Sequence, residues 1–365
     1  MRFSINKSEL LNALTVVSKG ASSRSTLPVL TGVFIQAQGS GLILQTTDLK
    51  RSIRYDVAAL VDEPGVAVIP EKLLFEIVKN LPDAAVGFET HDTTVEVYCD
   101  NSSYTLKTLD ASDFPPFPEV AAASQITIPF DDFCSMVKRT ARVVSKDQSR
   151  AVLTGVLISV SDGVLRMVAT DSYRLAVSET VFEGPVDDFE VIVAGGFLQE
   201  VASLPKLAES ITLGVAQNQV VFNYQNMVLI NPRIEGNFPA YQKLIPSSYT
   251  TRSCFTTADL IAGIRRAGLV SSPGSPVRFD INADAKNAVI SSAAQDVGTA
   301  QETVPCEVDG ENVEIGFNQQ YILEGLQSVG SQEVFLDTLT SLKPGILRSA
   351  SEESFLYLVM PVRIG

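Results

Sequence analysis

The chain has 365 residues, a net charge of −14, 45% apolar and 19% charged residues, and four cysteines. Its length exceeds what a single hydrophobic core usually organises, so two or three domains are expected, and the composition excludes long disorder. The absence of 18 consecutive apolar residues, and of an apolar signal core in MRFSINKSEL, gives the expectation of a cytoplasmic protein with no membrane partner.

Phe3 and Ile5 alternate as a strand, and Leu10, Leu11, Leu14 and Val17 follow at helical spacing behind Ser8 as N-cap. After a loop through Arg24, a hairpin is predicted from Leu30 to Asp48 around Gly39-Ser40-Gly41. Strands at 52–57 and 65–70 lead to a helix over 71–81, with Leu73, Leu74, Ile77 and Val78 as its stripe and Pro82 as its stop. Three more strands, at 85–89, 93–100 and 103–109, precede Phe114-Pro115.

The second third repeats this order: a strand at 125–128, a helix over 129–145 carrying Phe133, Val137, Ala141 and Val144, then a hairpin over 153–175 that turns at Asp162-Gly163. Leu153-Thr154-Gly155-Val156 repeats Leu30-Thr31-Gly32-Val33, and Thr170-Asp171 repeats Thr47-Asp48, both at an offset of 123 positions. Residues 191–194 mirror 68–70, the helix over 195–204 mirrors 71–81, and Phe238-Pro239 follows Phe114-Pro115 by 124 positions. In the last third come a strand at Cys254-Phe255, a helix over 257–268, strands at 277–281, 288–292 and 313–317, and a helix over 319–329. Gln295-Asp296 occupies the Thr-Asp place, and Met360-Pro361 the Phe-Pro place.

The expected class is α+β, with three tandem similar domains at 1–120, 121–246 and 247–365 and linkers at 110–125 and 238–250. Each domain is a β-α-β-β-β-α-β-β-β unit with two helices packed on antiparallel sheets. Units of about 120 residues can bury their own cores, so this is domain duplication rather than a solenoid. A constant rotation between such units draws an arc, which a symmetric partner chain can close.

Catalytic chemistry is not expected. His91, the only histidine, sits beside Asp92 in a polar turn and reads as solvated; a hydrolase using this pair is kept only as something to test. Asp131-Asp132 reads as helix capping, and Gly195-Gly196 lacks the rest of a phosphate-binding motif. Cys99, Cys134, Cys254 and Cys306 lack metal-ligand spacing and read as reduced structural thiols, so neither cofactor nor metal is expected.

Binding features remain. The six predicted helices sum to +3, leaving −17 elsewhere, and Arg24 and Arg150 lie in loops beside them. Two readings stay open: exposed helix faces, or a track for phosphates. Without interleaved aromatics a track suits sequence-independent contact with duplex backbone rather than stacking on single strands. Tyr173-Arg174-Leu175, Phe238-Pro239, Leu244 and Leu358-Val359-Met360-Pro361 form apolar stretches where the second and third domains should meet, as packing or as a peptide groove. A three-domain acidic peptide-binding scaffold that does not encircle DNA is the alternative function.

Four segments carry a family resemblance: Thr26-Leu27-Pro28-Val29-Leu30, the run from Val168 to Val177 (VATDSYRLAV), Gly236-Asn237-Phe238-Pro239-Ala240-Tyr241 and Val359-Met360-Pro361-Val362-Arg363. Together they resemble the bacterial DNA polymerase III beta subunit, the sliding clamp, over essentially the whole chain. The resemblance implies a DNA clamp fold and a ring formed by a head-to-tail homodimer around duplex DNA. Such a ring tethers the replicative polymerase alpha subunit, is opened by a separate clamp loader and receives other clamp-binding-motif proteins. It has no catalytic activity of its own.

By resemblance, the peptide-binding pocket maps onto Leu153, Thr170, Ser172, Tyr173, Arg174, Leu175, Pro239, Leu244, Leu339, Leu358 and Met360. DNA contact maps onto Arg24, Lys72, Lys146 and Arg150, and the dimer contact onto Tyr104, Leu106 and Leu269. Two departures stand out. Ser172-Tyr173 replaces a common Gly-His pair, which implies a reshaped pocket rim, and Ala151-Val152 replaces two tyrosines, which implies a weaker DNA grip in that loop.

Overall fold

In the first strand the buried side chains are Phe3 and Ile5, every second residue, as a sheet with one covered face requires. The structure, a computed structural model, describes residues 1–22, 25–182, 187–272 and 275–363. The first third runs β1 (Arg2–Asn6), α1 (Lys7–Val17), β2 (Gly32–Gln38), β3 (Gly41–Thr47), β4 (Ser52–Ala58), β5 (Leu60–Glu63), β6 (Gly65–Pro70), α2 (Glu71–Asn80), β7 (Ala85–His91), β8 (Thr94–Cys99) and β9 (Ser102–Lys107). The middle third runs β10 (Ser124–Pro129), α3 (Phe130–Thr140), β11 (Gly155–Ser161), β12 (Val164–Thr170), β13 (Arg174–Val181), β14 (Phe189–Ala194), α4 (Gly195–Ala202), β15 (Ser210–Val215), β16 (Gln219–Tyr224) and β17 (Met227–Pro232). The last runs β18 (Thr251–Thr256), α5 (Thr257–Ala267), β19 (Pro276–Asn282), β20 (Asn287–Ala294), β21 (Gly298–Pro305), β22 (Glu307–Gly310), β23 (Val313–Asn318), α6 (Gln319–Val329), β24 (Glu333–Thr338), β25 (Gly345–Ser349) and β26 (Phe355–Val359).

The repeat is richer than its predicted formula. Among the described residues, five, four and five strands separate the two helices of successive thirds, where three were expected. Two of the additional strands, β5 and β22, have only four residues each, too few to show an alternation, and both are edge strands, on β1 and on β18. The central hairpin forms as its turn residues dictate: Ser161 pairs with Val164, and Asp162 and Gly163 both take positive φ, +52° and +73°. In the first copy the loop is Gly39-Ser40 alone, because Gly41 already pairs with Gln38.

Packing divides the chain into two compact units, Met1–Asp131 with Ser203–Arg233, and Asp132–Ala202 with Ile234–Gly365. These cut differently from the sequence thirds because hydrogen-bonded sheets run across the expected boundaries. In the first unit β17 pairs with β4, so the eight-stranded sheet has the order β10-β15-β16-β17-β4-β3-β2-β6, beside a five-stranded sheet β5-β1-β7-β8-β9. α1 packs on α2, β3 and β4 there.

In the second unit β13 pairs with β26 within a nine-stranded sheet, β14-β11-β12-β13-β26-β25-β24-β18-β22, beside a four-stranded sheet β21-β20-β19-β23. α6 covers β25 and β26 and packs on α5. It can approach closely because Gly325 faces the sheet: a Cβ there would sit 2.6 Å from the Tyr357 ring and 2.8 Å from Leu347. Gly325→Val is therefore expected to destabilise the second unit by about 1–3 kcal/mol through overpacking, read as a lowered thermal midpoint.

Candidate peptide and nucleic-acid interfaces

Alternation along β13 and β26 sorts the side chains at their junction onto two faces. Directly opposed partners run as a row across the nine-stranded sheet: Thr170, Leu175, Leu358 and Ile346, then Asp337 and Arg252. Leu175, Leu358 and Ile346 join Leu157, Val168, Val177, Ile192 and Leu356 in one apolar cluster. The segment after β17 lies over it as a strap, contributing buried Tyr241 and partly buried Ile234, Phe238 and Ile245. Leu175 and Leu358 thus form a floor only 1% exposed.

Around this junction three large side chains are exposed, Tyr173 by 62%, Leu244 by 50% and Met360 by 38%, with the Tyr173 ring stacked 6.2 Å from that of Tyr321 on α6. Tyr173 and Met360 are fixed side by side, the Met360 amide donating to the Tyr173 carbonyl at 2.8 Å. Pro239 is exposed on the strap, where its carbonyl accepts from the Tyr241 amide at 2.7 Å. Buried floor and exposed apolar rim together suit an apolar side chain presented by a peptide.

The turn between β12 and β13 is built by its own side chains. Thr170 Oγ1 donates to the Arg174 carbonyl at 2.7 Å and accepts from the Ser172 amide at 3.1 Å, while Asp171 Oδ1 accepts from the amides of Tyr173 and Arg174. These bonds hold Ser172 at φ +80°, a conformation costly for a residue with a side chain. Thr170 is structural here, and so is Leu153, 3% exposed in the 3₁₀ turn Gln148–Thr154 with its carbonyl accepting from the Ser145 amide.

Two predicted pocket residues lie elsewhere. Leu339 lines a separate cleft of about 440 Å³ with Thr250, Thr251, Glu311 and Thr340, among which none of the other predicted pocket residues appears. Arg174 belongs to the helix face, because odd-numbered Leu175 takes the strap face. Its guanidinium donates to Asp171 Oδ2 at 3.0 Å, to the Tyr357 hydroxyl and the Arg142 carbonyl at 3.3 Å each, and to Glu324, and it stacks 4.4 Å from the Tyr321 ring. With its side chain 8% exposed it ties β13 to α6. Sequence reasoning missed Tyr321, Glu324 and Tyr357; nothing in their spacing marks them, since they meet only through the β13 to β26 pairing.

Burial works against the Arg174 charge, but Tyr357 and Glu324 outweigh it and hold the charged form. Burial likewise pulls Glu324 upward, yet hydrogen bonds from Arg174 and Gln320 win and its carboxyl titrates below the usual carboxylate range. Burial pushes the Tyr357 phenol up, so it stays neutral.

The first unit contains a copy of the same turn. Thr47 Oγ1 donates to the Arg51 carbonyl at 2.7 Å, Asp48 Oδ1 accepts from the amides of Lys50 and Arg51, and Leu49 stands at φ +73°. Arg51 Nη1 donates to the Lys19 carbonyl as Arg174 Nη2 does to that of Arg142. The floor differs, however: the matching row is Thr47, Ser52 and Ile230, and the next is Gln45, Arg54 and Val228. Phe34 packs at a tilt against Phe114, centroids 5.1 Å apart, in a smaller apolar cluster with Val29, Leu30 and Val68. Of these two junctions among the described residues, the one between β13 and β26 carries the covered apolar floor.

Of the predicted DNA contacts, Arg24 lies outside the described residues. Lys72, Lys146 and Arg150 are exposed. The helix charge is less free than its count suggests: Arg139 forms a bidentate pair with Glu352 at 2.8 and 3.0 Å, and Arg266 pairs with Glu302 at 2.8 Å. Arg265, on the last turn of α5, is exposed and was not among the predicted contacts. Of the predicted dimer contacts, Tyr104 is 40% exposed on edge strand β9 and Leu269 81% exposed beside β20 and β21, but Leu106 is 7% exposed and faces its own sheet.

No hydrolytic pair forms at His91, which is exposed in the β7 to β8 turn with Glu89 4.0 Å away. Among the described residues no three His, Cys, Asp or Glu side chains converge as metal ligands. None of the four cysteines forms a disulfide, and burial pushes the Cys306 thiol up to about 11.

The Arg174 lock generates a test. Arg174→Met strands Asp171 and Glu324 without their cation and is expected to cost about 3–5 kcal/mol. The wild-type contribution of Glu324 is present above the ordinary carboxylate pKa and is lost as pH falls through its depressed folded value. Denaturant titrations at a series of acidic pH values should therefore show that acid dependence shrinking in Arg174→Met.

Comparison with known proteins covers the whole chain. The DNA polymerase III beta subunit N-terminal, central and C-terminal domain families match residues 1–118, 127–240 and 242–363. A beta sliding clamp from Staphylococcus epidermidis is 30% identical over 374 residues, spanning 100% of this chain and 99% of its own, and one from Bacillus subtilis is 28% identical with both chains fully covered. Among solved structures, the Bacillus subtilis DNA polymerase sliding clamp aligns with a TM-score of 0.94 at 28% identity, and a Pseudomonas aeruginosa sliding clamp bound to griselimycin with 0.95 at 28%, each over 100% of both chains. No helix among the described residues is long and apolar enough to cross a membrane. The repeat, the strap over its apolar floor and these matches converge: the chain belongs to the bacterial DNA polymerase III beta subunit family, the beta sliding clamps.

Proposed function

We propose that two copies join head to tail into a ring that encloses duplex DNA and tethers the replicative polymerase through the Leu175 and Leu358 floor. The observation that carries the ring is a pair of open sheet edges: β9 ends the five-stranded sheet and β21 ends the four-stranded one, each leaving a row of main-chain donors and acceptors without a strand partner among the described residues. Pairing β9 of one copy with β21 of the next satisfies both rows, with exposed Tyr104 and Leu269 as apolar contacts. A head-to-tail contact of this kind closes when the rotation allows and leaves neither of these two edges open. Full-length similarity to named clamps supports this reading over an acidic scaffold that does not encircle DNA.

Enclosure removes the need for tight contact. Exposed Lys72, Lys146 and Arg150, with Arg265 as an addition, supply a thin set of phosphate contacts that permits sliding, and the excess negative charge elsewhere discourages other DNA. The polymerase alpha subunit, the clamp loader and other proteins with a clamp-binding motif dock as peptides on the rim. The domain boundaries at 120 and 246 follow the same reading, with a cytoplasmic location.

Loaded onto nicked circular DNA by its loader, the protein is expected to stay bound at salt that strips ordinary DNA-binding proteins and to leave when the circle is cut. Gel filtration of circular and linearised samples reads this; release indifferent to linearisation refutes enclosure. For the pocket, the rim is the place to mutate, since truncating the floor at Leu175 would also cost core packing. Leu244→Ala with Met360→Ala should weaken a labelled griselimycin probe by at least ~10-fold while sedimentation still shows the wild-type assembly. An unchanged affinity places the site elsewhere.

A further inference from the structure

Arg150 has a second attachment. Its Nη2 donates to Ser172 Oγ at 2.7 Å, joining the 3₁₀ turn Gln148–Thr154 to the crest of the turn that carries Tyr173. The fold does not require this bond. In the first unit the positions 123 residues earlier are Leu27 and Leu49, both exposed and without polar side chains, and the turn closes with the same Thr and Asp bonds and the same positive φ. The pair is an addition confined to the second unit.

We infer that Arg150 is a positioning residue for the pocket rim, and that duplex phosphate and Ser172 compete for its guanidinium, so that DNA binding and peptide binding are coupled in this chain. The inference rests on the two binding functions proposed above. Ser172 offers a neutral hydroxyl; a phosphate offers an anionic oxygen, which makes the stronger hydrogen bond. Once phosphate draws Arg150 away, Ser172 loses its side-chain tether, and the 3₁₀ turn whose Val152 packs against the apolar floor is no longer pinned to the crest that carries Tyr173. Binding linkage is reciprocal, so an occupied rim must weaken duplex binding by the same factor. An exposed charge-assisted hydrogen bond sets that factor at ~3- to 10-fold.

The test titrates the full-length protein against the labelled pocket probe described above, at low salt, with and without a saturating short duplex, for wild type and Ser172→Ala. Wild type should bind the probe ~3- to 10-fold more weakly when duplex is present. Ser172→Ala should show the weakened affinity from the start and ignore the duplex. An equal duplex effect in both proteins, or none in wild type when both ligands bind, overturns the coupling. Failure of wild type to bind probe or duplex alone overturns the underlying function as well, which separates the two failures.

Discussion

Main-chain hydrogen bonds between β13 and β26 place Leu175 opposite Leu358 and Arg174 opposite Val359, and most of what the second unit can do follows from that register. A strand has two faces, so one pairing fixes two environments at once. Toward the strap it aligns Thr170, Leu175, Leu358 and Ile346 into a covered floor. Toward the helices it delivers Arg174 to Glu324 and Tyr357. A slip of one residue would exchange the two, burying an arginine under the strap and exposing the floor to α6. The buried Arg174 cluster penalises that exchange, because its charge has acceptors only in the native register.

Duplication explains why the first unit has the same turn without the same floor. The bonds of Thr47 and Asp48 repeat those of Thr170 and Asp171 partner for partner, so the backbone device was retained. The side chains on the neighbouring strands diverged: Ser52 stands for Leu175, Arg54 for Val177 and Gln45 for Val168. Buried Ser52 shares a hydrogen bond with Thr47 and buried Gln45 is likewise polar, so this row lacks the apolar surface that an apolar ligand needs. Loop geometry is thus inherited separately from binding chemistry.

This separation also marks what the sequence could reveal. Repeated local signals, the Asp-Gly turn, the Thr-Asp pairs, the helix stripes and their proline stops, indicated the helices, the hairpins and the α+β class, because each is decided by near neighbours. The four-residue edge strands β5 and β22 were illegible, being too short to alternate. So was the division into two packing units, which depends on β4 meeting β17 and β13 meeting β26. Of the pocket residues that the resemblance implies, Leu175 and Leu358 meet in one apolar cluster, whereas Arg174 is separated from them by strand alternation and Leu339 lies in another cleft.

Those long-range pairings carry a consequence for biosynthesis. The eight-stranded sheet cannot be completed before residue 232 has emerged, nor the nine-stranded one before residue 359, almost the end of the chain. Until then β4 and β13 wait on the nascent polypeptide as uncovered strands, β13 with Leu175 and Val177 in view of water. Pairing across such sequence distances is slow, and unpaired strands invite aggregation. A truncation that removes β26 would leave β13 permanently without its neighbour on that side.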